Sequence, residues 1–142
     1  MNTENVIAGL ADAQAPFMPP PDAALDAPAI GLFVKLAAHW GLTGDQCQTL
    51  MGGVARQTWQ NWKKGKVAAL GRDQRDRLSL LFGIQKGLRL VFADDAAGLR
   101  WLKAENRDAP FAGRAPLDRM LAGGIDDLFA VRRYLDAWRG VA

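Results

Sequence analysis

Apolar residues along this chain recur at three- and four-residue intervals, the period of a helix face, and no segment alternates with period two over a useful length. Ile30, Phe33, Leu36, Ala37 and Trp40 form the first stripe, which predicts an amphipathic helix starting near Pro28 and ended by Gly41. Thr43 and Gln46 follow in capping-box spacing, so that the Thr43 hydroxyl accepts the N–H of Gln46 and the Gln46 side chain reciprocates. They open a short helix to about Met51, stopped by Gly52-Gly53; a second short helix runs from about Ala55 to Lys64, stopped by Gly65. Residues 72–92 predict a long helix with Leu78, Leu81, Phe82, Leu88, Val91 and Phe92 on its apolar side. Gly83 and Gly87 lie one turn apart within it. Each costs roughly 1 kcal/mol against Ala in a helix interior, so the pair predicts close approach of a neighbouring helix.

Asp94 can cap a further helix through Trp101-Leu102, and about Ala104 to Ala115 reads as irregular. Pro116 suits the first turn of a helix ending at Gly123-Gly124, and a last helix, about Ile125 to Trp138, sets Leu128, Val131, Leu135 and Trp138 on one side. The expected class is all-α. Residues 1–27, rich in Ala, Pro and Asp and including Pro19-Pro20-Pro21, carry no period and read as a flexible or polyproline-like lead.

Charge changes the picture more through its distribution than through the net +3 of the 142 residues. Residues 1–50 set Lys35 against Glu4, Asp12, Asp22, Asp26 and Asp45, whereas residues 51–92 set nine Lys and Arg against Asp73 and Asp76. The remainder is balanced. One basic block between an acidic head and a neutral tail suggests a surface built to meet a polyanion.

Candidate chemistry is sparse. Cys47 is the only cysteine and His39 the only histidine, so disulfides, cysteine zinc sites and most nucleophile–base pairs cannot be assembled. Cys47 reads as a small structural thiol and His39 as a core or rim residue. Gly52-Gly53 lacks the spacing of a phosphate-cradling loop. A binding protein rather than an enzyme is expected, with no cofactor and no metal. No basic residue precedes Lys35 and no apolar run approaches the ~20 residues of a membrane span, so the expectation is a cytoplasmic protein.

Two short helices joined by a glycine turn, inside the basic block, are what a helix-turn-helix requires. Leu42 to Gly65 closely resembles the helix-turn-helix of the phage-repressor (Xre) family, through Thr43, Leu50, Gly52, Arg56-Gln57-Thr58, Trp62 and Lys64-Gly65. Gly52-Gly53-Val54 is one residue longer than that family's usual turn. By family position, Arg56, Gln57 and Asn61 match base-reading residues, with Thr58 and Gln60 near the backbone. The chemistry agrees, since Arg pairs bidentately with guanine and Gln or Asn with adenine. Lys63, Lys64, Lys66 and Arg72 suit phosphates. Trp59 and Trp62 could stack on bases; the family places bulky apolar residues there as core, and core is the reading adopted.

Trp101-Leu102, Asn106, Phe111, Gly113, Pro116-Leu117, Leu121 and Gly123 stand in the order and spacing of a second signature. They resemble the C-terminal toxin-binding domain of Xre/MbcA/ParS-type antitoxins, with Ala115 where that family tends to show a capping Ser. After the lead (1–27), the resemblance implies a helix-turn-helix domain (28–92) and a helical toxin-binding domain (93–142). It also implies an antitoxin that binds its cognate toxin and represses its own operon, as a homodimer on operator DNA. Toxins paired with this family commonly carry the RES fold, and several consume NAD; neutralisation in relatives resembles plugging of the toxin's active-site cleft. On the last helix, Arg132, Arg133, Tyr134, Trp138 and Arg139 are of types enriched in interface hot spots. Trp138 would meet the apolar part of such a cleft, Asp136 or the carboxylate of Ala142 its cationic part, and Arg139 its acidic rim. The alternative is a stand-alone regulator whose C-terminal domain only dimerises.

Overall fold

The computed structural model describes residues 23–140, within which seven helices and no strands are found. In chain order they are α1 (Ala23–Trp40), α2 (Gly44–Leu50), α3 (Arg56–Lys63), α4 (Arg72–Val91), α5 (Asp95–Lys103), α6 (Pro116–Met120) and α7 (Ile125–Trp138). The all-α expectation holds.

The first helix departs from its expected start. It begins at Ala23, ahead of Pro28, which lies inside it. The cause is Asp26, a buried carboxylate that accepts two hydrogen bonds from Arg75, both at 2.9 Å, and a third from the Leu70 N–H at 3.0 Å. Residues 23–27 of the expected lead are therefore anchored to a site more than forty residues away; the rest of the lead, 1–22, lies outside the described residues. Beyond Asp26 the predicted stripe is buried as drawn, from Ile30 to Trp40, and the Trp40 indole donates to Gln85 at 2.8 Å.

Local signals act as their chemistry requires. Thr43 Oγ1 accepts from the Gln46 N–H at 3.1 Å and the Thr43 N–H donates to Gln46 Oε1 at 2.8 Å, completing the capping box of α2. Gly52 and Gly53 both have positive φ, at 91° and 83°, so the turn out of α2 needs two residues without a Cβ. Asp94 caps α5 through the Ala97 N–H. Where Ala115 offers no capping oxygen, the Asp118 carboxylate still takes the Ala115 N–H at 3.2 Å, which keeps half of the cap.

The long helix α4 organises the whole. Arg77 near its start reaches Gly123, Gly83 faces Arg132, Gly87 faces Leu135, and Phe92 just past its end meets Trp138. These pairs advance together, so α4 and α7 run in the same direction along a shared seam, and α5, the 104–115 loop and α6 form the crossover between them. A Cβ on Gly83 would collide with the Arg132 side chain, and one on Gly87 would lie 3.1 Å from Leu135 Cβ. The two glycines serve close helix approach, as their cost predicted. One continuous core extends from Ala29 to Leu135 and draws on both halves of the chain.

Candidate nucleic-acid interface and C-terminal docking face

Trp59 and Trp62 pin α3 to the body. Both are buried, and Trp59 packs edge-on against Phe33 with ring centroids 5.9 Å apart. At about 100° per residue, the opposite side of α3 carries Gln57, Gln60, Asn61 and Lys64. Gln57 Nε2 donates to Asn61 Oδ1 at 3.0 Å, so two of the expected base readers form one polar patch. Arg56, the third, is exposed on the flank beside α1, together with Lys63, whose ammonium lies over the Trp59 ring at 5.8 Å. Arg56, Gln60 and Lys63 edge an open groove of about 510 Å³ floored by Val34, Ala37 and Trp59. Thr58 is half-buried on the other flank, while Lys64, Lys66 and Arg72 are exposed at the end of α3 and the start of α4.

Cys47 lies fully buried, and burial pushes its thiol up to about 11, as suits a packing residue. His39 is exposed on the rim, 3.8 Å from Asp95. Among the described residues, no group of three or more His, Cys, Asp or Glu is arranged to hold a metal ion, and no helix is long and apolar enough to cross a membrane.

The charge count of the basic block overstates its surface. Arg75 is spent on Asp26. Arg77 is buried: its Nε donates to Asp73 at 2.8 Å, Nη1 to the Leu50 carbonyl at 3.2 Å, and Nη2 to the Gly123 carbonyl at 2.9 Å. Sequence reasoning missed both roles, because a salt bridge or a carbonyl clamp between distant segments leaves no local period. The outward cations around α3 and the start of α4 reduce to Arg56, Lys63, Lys64, Lys66 and Arg72, the last 3.9 Å from Asp76 and well exposed, while Lys86 and Arg89 lie toward the other end of α4.

At the other end of α4 the surface is aromatic. Trp101 is ringed by Phe92, Phe111 and Tyr134, each with its centroid 5.8 Å away, and by Trp138 at 6.2 Å. Phe111 is buried, whereas Trp138 is 52% exposed: it rests one edge on the cluster and shows the other to solvent. The Tyr134 hydroxyl donates to Asp108, and that bond, with burial, raises its pKa above the ordinary tyrosine value.

The remaining candidates on α7 divide by helix face. Arg132, Asp136 and Arg139 share one flank, with Arg132 Nε 3.6 Å and Arg139 Nη1 3.4 Å from the same carboxylate. Asp136 is thus already engaged by two guanidiniums. Lys86 of α4 lies on this side too; burial, then Arg139 and Arg132, holds its ammonium below the ordinary lysine value. Arg133 sits apart, over the Phe129 ring at 4.6 Å. Ala142 lies outside the described residues. Leu90, at 56% exposure, and Phe129, at 46%, were missed; Leu90 stands off the core stripe of α4, and that was the available signal.

Comparison with known proteins divides the chain as its two surfaces do. Residues 22–83 match the antitoxin Xre-like helix-turn-helix domain, and residues 87–140 match the antitoxin Xre/MbcA/ParS C-terminal toxin-binding domain. An uncharacterized protein, y4oB of Sinorhizobium fredii (strain NBRC 101917 / NGR234), is 37% identical over 108 residues, covering 76% of this chain and 81% of that protein.

Proposed function

The chain belongs to the Xre/MbcA/ParS antitoxins, with a helix-turn-helix domain and a toxin-binding domain, and from that premise we propose how it divides its labour. The outward face of α3 reads operator DNA of its own promoter, as a homodimer on an inverted repeat, and so represses the operon. Gln57, Asn61 and Arg56 contact base edges. Thr58, Gln60, Lys63, Lys64, Lys66 and Arg72 meet the backbone. The α7 face and the segment beyond it cover the active site of the cognate toxin, which we take to be of the RES type and NAD-consuming.

The observation that carries this reading is the placement of Trp138. An indole half exposed at a helix end, stiffened by three aromatic neighbours, presents a rigid apolar anchor at little entropic cost. Tyr134 packs against it, Arg132 and Arg139 lie on the adjoining flank, and Arg133 adds a cation on another face of α7. Asp136, engaged by Arg132 and Arg139, is less available as an anion for a cationic subsite.

The test is co-expression with the neighbouring gene, reading growth, cellular NAD and co-purification. Wild type should protect cells and retain the toxin. Removing residues 139–142 together with Trp138→Ala should restore toxicity while the protein still binds its promoter. Cutting from Tyr134 would be a poorer test, since Leu135 is buried against Gly87. A folded variant that still protects fully and still blocks NAD loss would refute obstruction by this segment.

A further inference from the structure

Arg77 joins three segments that are distant in sequence. Its guanidinium bonds Asp73 one turn back on α4, the carbonyl of Leu50 at the end of α2, and the carbonyl of Gly123 in the turn before α7. Helix ends leave carbonyls without intrahelical partners, and Leu50 is one of these. The site is tight: a Cβ on Gly52 would lie 3.0 Å from Asp73 Oδ2 and 3.1 Å from Arg77 Nε. At the far side of the same turn, Gln48 Nε2 donates to the Val54 carbonyl at 3.0 Å. The turn that launches α3 is therefore held at both ends, by Arg77 on Leu50 and by Gln48 on Val54.

That turn is where freedom would do most harm. It contains two consecutive glycines at positive φ, with no side chains of their own to fix its course. Base reading requires side chains held within about 0.5 Å and 10–20° of the productive pose. Trp59 and Trp62 set how deep α3 sits, but a helix anchored along one face can still slide and pivot.

We propose that Arg77 is the positioning residue of operator recognition: it fixes the end of α2, and through the glycine turn the pose of α3, against α4 and the start of α7. The proposal rests on the reading of α3 as the operator-reading helix. It assigns Arg77 no contact with DNA. Its effect on the toxin face is small, because Trp138 lies at the opposite end of α7, roughly 20 Å along the helix at ~1.5 Å per residue.

The test uses the full chain carrying Arg77→Lys, the milder Asp73→Asn should Arg77→Lys not fold, and Val131→Ala as a destabilised comparison buried elsewhere in α7. Three quantities are read: the ratio of affinities for promoter and scrambled DNA, amide exchange over residues 51–64, and toxin affinity. Arg77→Lys should lower the ratio about tenfold, the order of one lost base contact, and speed exchange in 51–64. Binding to scrambled DNA and to toxin should stay within about twofold, since those rest on phosphate contacts and on α7. Asp73→Asn should move the ratio the same way by less, and Val131→Ala should leave it unchanged. Wild-type ratio and exchange in a folded Arg77→Lys protein would overturn the proposal. So would a loss of promoter and toxin binding in step with stability, matched by Val131→Ala, which would make Arg77 a core residue only. Should wild type show no preference for its promoter, the α3 reading itself fails, and the exchange measurement alone still decides whether Arg77 holds the turn.

Discussion

Toward the start of α4 the protein shows solvent a polar, cationic ridge, Gln57, Asn61, Lys64 and Lys66, laid over two buried tryptophans. Toward its end it shows apolar carbon, Trp138 and Leu90, with Arg132 and Arg139 on the adjoining flank of α7. The first surface spends its aromatics inward and its charge outward, which suits a polyanion whose counterions are released on contact. The second holds an aromatic at the surface and ties up part of its charge around Asp136, which suits a partner that excludes water around an anchor. One helix serves both, and its two ends are built by different chemistry.

The comparison can be broken most severely by removing what holds the first surface to the body. Asp26→Asn deprives Arg75 of its buried partner and should cost about 3 kcal/mol of folding stability, read by chemical denaturation. Arg75 holds the Asp26 carboxyl below its ordinary range, against the opposing effect of burial and with help from the Leu70 N–H. A depressed carboxylate contributes stability that is full above its unfolded value of about 4 and is lost as pH falls through the folded value. Wild type should therefore lose stability in that acid window more steeply than Asp26→Asn; equal slopes would remove Asp26 from the account.

The next effect separates the surfaces rather than the fold. Arg56→Ala with Gln57→Ala should forfeit about 2–3 kcal/mol of preference for promoter over scrambled DNA while melting like wild type. Unchanged preference would show that α3 is not the reader. Trp138→Ala should weaken toxin binding by about 2 kcal/mol, roughly thirtyfold, with restored toxicity in co-expression. The smallest effect is expected from Lys63→Ala. It should weaken all DNA alike and reduce the salt slope by about one unit, without altering sequence preference. A changed preference would move Lys63 from the backbone to the bases.

How much of this could be read from the chain differs between the same regions. Helix positions, the Thr43 cap and the Gly83/Gly87 seam follow from local spacing and propensity, and they stand as expected. The start of α1 does not, because the residue that orders it, Asp26, pairs with Arg75 across 49 positions. Arg77 was indistinguishable from a phosphate-facing arginine for the same reason: two of its three acceptors, the Leu50 and Gly123 carbonyls, are brought to it only by the fold. On the C-terminal side, the residue types of α7 announced an interface, yet their sorting into an Arg132–Asp136–Arg139 flank and a Tyr134–Trp138 flank depends on where α4 lies. Local rules give the elements; long-range polar contacts decide which charges are surface.

The account's central claim is that operator and toxin are met by separate surfaces at the two ends of one core. It is tested most directly by titrating a single protein, Trp138→Ala, with purified cognate toxin and with promoter DNA under the same conditions. The predicted result is roughly thirtyfold weaker toxin binding with promoter affinity unchanged within about twofold, the cost of a lost anchor far from α3. Unchanged toxin affinity, or parallel loss of both activities in a folded protein, would contradict it.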